Sequence, residues 1–131
     1  MGDLARKLLL KPGMRAAFLN APDGYRDTLG ELPAGASEAV EGEGGLDFVQ
    51  VFVRDAAELE EWAPRATAAV KRDGLLWFCY PKGGKKAGTN INRDILWKLL
   101  GERHGLAGVA MVAIDDKWSA FRARPAELVG K

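Results

Sequence analysis

The chain is built from short, almost uninterrupted apolar runs separated by segments whose apolar residues recur at helical spacing. Residues 14–19 (M-R-A-A-F-L), 46–53 (L-D-F-V-Q-V-F-V) and 75–80 (L-L-W-F-C-Y) form the runs in the first two thirds. Runs of this kind, lacking polar alternation, mark strands covered on both faces, as in a parallel sheet. Residues 106–114 and 118–123 give two more strands joined through Asp115-Asp116-Lys117, which predicts a closing antiparallel hairpin. A further short strand is expected near 38–40.

Between these runs the period changes. Leu59, Trp62, Ala63, Ala66 and Val70 recur at helical spacing, as do Ile95, Leu96, Leu99 and Leu100. Asp55 with Glu58 reads as a capping box, and Asn92 as an N-cap flanked by an Ile91 and Leu96 staple. Asp23 suits the cap of a brief helix ending near Leu29, and Asp3 with Leu4, Leu8 and Leu9 suggests a leading helix stopped at Pro12-Gly13. Pro64 either kinks its helix or opens a second one, and Asp73-Gly74 is expected to end that segment. Strands alternating with helices predict one domain over 1–131. The expected class is α/β, a three-layer Rossmann-like, mostly parallel sheet of about six strands with helices on both faces and the hairpin at an edge.

Composition narrows the function classes. Of 131 residues, 47% are hydrophobic and 28% charged, ordinary values for a folded domain. A net charge of +1 supplies no field that would draw the molecule to nucleic acid or an anionic membrane. The apolar runs fall short of a bilayer span, no export signal or myristoylation pattern is read, and the lone Cys79 fits a reducing compartment, so a cytoplasmic protein is expected. One histidine, His104, and one cysteine cannot assemble a zinc site, so no metal is expected.

Two places carry candidate chemistry. The 81–90 loop joins Lys82, Gly83, Gly84, Lys85, Lys86, Thr89 and Asn90 ahead of a helix N-terminus, an arrangement able to cradle an anion. It is not a Walker loop, because Thr89 stands where the lysine belongs. Ligands of open parallel sheets bind at the carboxyl ends of strands where strand order reverses. If the first strand neighbours the 46–53 strand, Asn20, Asp23, Tyr25, Arg26, Arg54, Asp55 and Lys82 approach one crevice. Other features have plainer readings: His104 at a helix end, Cys79 packed in an apolar strand, Asp115 and Asp116 shaping a turn, Trp118 and Arg122 packing near an edge, and Ser37 and Ser119 without a nucleophile elbow. No catalytic residues are assigned.

The stretch 46–82, with an acidic residue opening a strand, a helix, the Arg72-Asp73-Gly74 turn and an apolar strand, resembles the later half of class I methyltransferases. Lys11-Pro12-Gly13, Trp77 before Pro81-Lys82, and Asp116-Lys117-Trp118-Ser119 are similar to a bacterial family of small proteins of unknown function, which implies no activity. The methyltransferase resemblance implies a Rossmann-like fold, S-adenosylmethionine as cofactor, and an acid near Glu41 for the ribose. The first turn, Asn20-Ala21-Pro22-Asp23-Gly24, departs from the glycine-rich turn that lets that cofactor lie against the backbone, and the chain between the second strand and Leu46 is too short for the full set of elements. Three readings remain: a non-catalytic or weakly catalytic module that binds a small anionic ligand or a protein partner; an S-adenosylmethionine-dependent enzyme with an altered cofactor turn; and a structural protein that dimerises through its edge hairpin.

Overall fold

The computed structural model describes residues 3–40, 42–83 and 88–129. Helix α1 (Asp3–Lys7) leads into β1 (Arg15–Leu19), α2 (Tyr25–Leu29), β2 (Ser37–Glu38), β3 (Leu46–Phe52), α3 (Ala56–Ala69), β4 (Val70–Pro81), α4 (Arg93–His104), β5 (Leu106–Ala113) and β6 (Trp118–Pro125). Every expected strand and helix is present among the described residues. The six strands form one sheet in the order β2-β1-β3-β4-β6-β5, parallel from β2 through β4 and antiparallel for β6 and β5. The hairpin reaches the edge only through β5, because β6 inserts beside β4.

Both faces of the sheet are covered. On one, Ala5, Leu8 and Leu10 from the α1 region and Tyr25 and Leu29 of α2 pack on Phe48, Phe52 and Trp77. On the other, Leu59, Ala63 and Ala66 of α3 and Leu96 and Leu100 of α4 pack on Val49, Val51 and Phe78. Double coverage explains why β3 and β4 read as continuous apolar runs rather than as alternation. Trp77 Nε1 donates to the Leu8 carbonyl at 3.0 Å, tying the leading segment to the sheet and satisfying the one polar atom of a ring that is 1% exposed.

Caps account for the larger helices. The Asp55 carboxylate accepts from the Glu58 amide at 2.8 Å, Asn92 accepts from the Ile95 amide at 2.9 Å, and Gly105 closes α4 in the left-handed region at φ 65°. Three expectations are corrected. Asp23 does not cap α2: Gly24 occupies that position at φ 83° with no side-chain bond, and Asp23 is exposed. Pro64 does not open a second helix: α3 runs without interruption from Ala56 to Ala69 with Pro64 inside it, on the exposed side. Asp73-Gly74 does not end its segment; β4 already begins at Val70 and detours there. Leu46 pairs with Val70 and Phe48 with Leu75, so residues 71–74 bulge out, held by Lys71 to Asp47, Arg72 to Glu127 and Asp73 to Arg124. A Cβ at Gly74 would meet Val70 Cγ2 at 2.7 Å and the Leu46 carbonyl at 3.0 Å, so the bulge needs glycine.

No helix among the described residues is long and apolar enough to cross a membrane.

Candidate functional site

Strand β1 has β2 on one side and β3 on the other, both parallel to it, so strand order reverses at β1. The carboxyl ends of β1 and β3 therefore flank the position where open sheets bind ligands. The crevice between them is closed by the protein's own groups. Asn20, at φ 54°, takes the left-handed conformation that asparagine tolerates better than most residues, and its Nδ2 donates to the Phe52 carbonyl at 2.8 Å and to Glu58 Oε1 at 3.2 Å. Glu58 Oε1 also accepts the Arg54 amide at 2.8 Å, and Asn90 Oδ1 accepts the Ala56 amide at 2.8 Å. Thr89 Oγ1 donates to the Arg54 carbonyl. The ends of β1 and β3 and the segment leading into α4 are thus cross-tied, and the Ala56 and Glu58 amides in the first turn of α3 already have side-chain partners.

Open space lies to the side of this tie. The crossover from β2 to β3 must pass over β1, a step that ordinarily takes a dozen or more residues and usually a helix. Here it is residues 39–45. The short connection runs on the α3 side, where a Cβ on Gly44 would lie 3.7 Å from the Ala68 carbonyl. With no helix among the described residues of the crossover, a cleft of about 660 Å³ lies between β1, this segment and the later turns of α3. Its apolar surface comes from Ala17, Leu19, Trp62 and Ala69, and its polar boundary includes Asn20 and Arg65.

The charges around the cleft are not equivalent. Glu43 receives Arg15 through Nε and Nη2, both at 2.6 Å, and Glu38 pairs with Arg26. The Arg15 fork holds the Glu43 carboxyl below the usual carboxylate range, so it stays ionised and committed. Arg65 is held loosely by comparison: its guanidinium lies 4.7 Å from the centre of the Trp62 ring, 3.8 Å from Glu61, and its side chain is 59% exposed. The cleft thus offers an apolar floor, a tryptophan and an accessible cation.

The residues singled out from the sequence are dispersed. Asn20 lies at both the tie and the cleft. Arg54, Thr89 and Asn90 belong to the tie, and the Lys82 amide donates to the Lys117 carbonyl at 2.8 Å, placing that end of the loop beside the hairpin turn. Arg26 points toward Glu38 and covers Phe18 at 5.1 Å. Tyr25 is corrected: at 4% exposed it lies in the α2-side core, its hydroxyl donating to Gln50 Oε1 at 2.8 Å while Gln50 Nε2 donates to Cys79 Sγ at 3.2 Å. Burial pushes the Tyr25 phenol and the Cys79 thiol well above their ordinary ranges, so neither is poised to ionise near neutrality. Gly83 is exposed at φ 95°, whereas Gly84, Lys85, Lys86 and also Glu41 lie outside the described residues. Asp115 accepts the Lys117 and Trp118 amides at 2.8 and 2.9 Å, the turn role expected for it. No cluster of three metal-ligating side chains occurs among the described residues.

Trp62, Arg65 and Ala69 were read from the sequence only as a helix face or passed over. The spacing before Leu46 signals a shortened crossover, but that Trp62, Arg65 and Ala69 face the space beside it depends on the folded arrangement.

No protein-family model matches the chain, and neither does any curated protein sequence. Among solved structures, a protein in the NADB-Rossmann superfamily from Streptococcus agalactiae matches with a TM-score of 0.52 and 12% identity, over 95% of this chain and 68% of that one. TrmN from Thermus thermophilus matches with a TM-score of 0.53 and 13% identity, over 93% of this chain and 47% of that one, so the chain spans about half of that protein. At these identities the similarity shows the fold, a Rossmann-like α/β sheet, and nothing of the chemistry.

Proposed function

We propose that this protein is a non-catalytic Rossmann-like module that binds a small anionic ligand with a flat apolar body, in the cleft between β1, the 39–45 crossover and α3. The observation that carries this reading is the cleft itself. Its volume of about 660 Å³ falls within the range of small-molecule sites, and it lies beside the strand reversal where open sheets bind ligands. The apolar body rests on Ala17, Leu19 and Trp62, and the anionic group meets Arg65 rather than the two glutamates, which Arg15 and Arg26 already neutralise.

A second reading is supported by the sheet order and the Rossmann-like neighbours: a methyltransferase-like protein that takes S-adenosylmethionine in the same region. The tie at Asn20 weighs against it, since a side chain and its hydrogen bonds occupy the turn where that cofactor needs bare backbone.

A thermal-shift screen separates the two, using indole-3-carboxylate and related aromatic carboxylates, inorganic phosphate, S-adenosylmethionine and S-adenosylhomocysteine. A ligand at 100 times its dissociation constant adds about 2.7 kcal/mol of stability. The expected result is a shift with aromatic carboxylates that is lost in Ala69→Trp, which fills the cleft, and weakened in Arg65→Gln. A shift confined to the adenosyl compounds favours the second reading, and no shift with any of them contradicts both.

A further inference from the structure

We propose that β5 and the adjoining face of α4 form a two-fold interface with a second copy of this chain, independently of what the cleft binds. The two edges of the sheet are treated differently. At one, β2 is two residues long and its Glu38 is paired with Arg26, the short and charged construction that discourages edge pairing. At the other, β5 presents eight residues, L-A-G-V-A-M-V-A, with neither charge nor proline. Four of the six exposed large hydrophobic residues among those described sit on this side: Trp97 at 55% and Ile95 at 36% on α4, Met111 at 43% and Val109 at 38% on β5. Between Trp97 and 109–111 runs a groove of about 220 Å³ with Phe121 in its floor.

The occupant follows from the symmetry of an antiparallel edge. A two-fold axis perpendicular to the sheet sets the unpaired amides and carbonyls of β5 against those of its own copy and keeps both α4 helices on the same face. A two-fold sets residues at equal distances on either side of the axis opposite one another, so like charges spread along an edge would face each other across it; β5 carries none. Val109 is the extra residue of a bulge, with Gly108 paired to Ala123 and Ala110 to Arg122, so regular pairing centres on Met111 and Val112. Trp97 and Met111 of each copy then close over the axis. An eight-residue strand is about 27 Å long and about 5 Å wide, and with a helix about 10 Å wide beside it the face offers on the order of 400 Å². That lies below the roughly 600 Å² per copy at the lower end of stable specific interfaces and fits a weak, concentration-dependent dimer.

The test is sedimentation equilibrium of the whole chain over a range of concentration. The expected mass rises from the 14.2 kDa of one chain toward twice that value. Met111→Lys is expected to hold the protein at monomer mass with an unchanged circular dichroism spectrum, Trp97→Gln to weaken association at least tenfold, and Leu9→Lys, exposed in the leading segment away from β5 and α4, to leave it unchanged. Amide exchange in β5 should slow as concentration rises. A wild-type protein that stays monomeric throughout overturns the proposal, as does a dimer that survives both substitutions. Should Met111→Lys unfold the protein, Trp97→Gln together with the exchange of β5 amides decides.

Discussion

Asn20 shows how one side chain supports two readings. As a polar residue at the end of the first strand it is a candidate for ligand contact; in the structure it is committed to the Phe52 carbonyl and to Glu58. Its left-handed φ of 54° adds a backbone reason for asparagine. Asn20→Ala removes two hydrogen bonds and imposes that conformation on alanine, and should cost about 1–3 kcal/mol in urea unfolding. Asn20→Gly, which relieves the backbone, should cost less; equal losses would show that backbone conformation is irrelevant there. Local chemistry was legible at Asp55, Asn92, Gly105 and Asp115, where a side chain answers a neighbouring amide or a turn needs a positive φ. It was not legible at Asp23 or Tyr25. A cap at Asp23 fits the sequence equally well as the Gly24 start that occurs, and burial of Tyr25 depends on Gln50, 25 residues away.

At the level of elements, the strands were readable because double coverage leaves uninterrupted apolar runs. The 71–74 bulge was not, since Asp73-Gly74 has the composition of a turn, and the pairs Lys71 to Asp47, Arg72 to Glu127 and Asp73 to Arg124 join residues distant in sequence. The Arg15 fork pins the crossover at Glu43, while the Arg15 amide and Lys71 bind Asp47 at the start of β3. Both carboxyls are held below their usual range, Glu43 chiefly by its hydrogen bonds from the Arg15 side chain and Asp47 chiefly by the Arg15 amide. A depressed carboxyl contributes stability that is present above the ordinary carboxylate range and is lost as pH falls through it. The melting temperature should therefore drop between about pH 5 and about pH 3, and the drop should be smaller in Glu43→Gln and Asp47→Asn. Parallel pH profiles for wild type and both variants would show that these pairs do not sense acid.

At the level of the whole molecule, alternation of strands and helices sufficed to anticipate a Rossmann-like sheet, and the spacing before Leu46 indicated a shortened crossover. The consequence of that shortening was hidden. Only the folded arrangement shows that the short crossover borders a cleft against Trp62 and Arg65, whereas the loops read as chemically richest are tied to one another at Thr89, Asn90 and Arg54. The proposed function rests on ligand binding in that cleft. The direct measurement is amide chemical-shift mapping of the protein titrated with the aromatic carboxylate that gives the largest thermal shift. Saturable changes centred on Leu19, Asn20, Ala39, Trp62 and Ala69 are predicted. Changes centred instead on Arg54, Lys82, Gly83 and Thr89, with the cleft unmoved, would contradict the account and return the site to the strand-end loops.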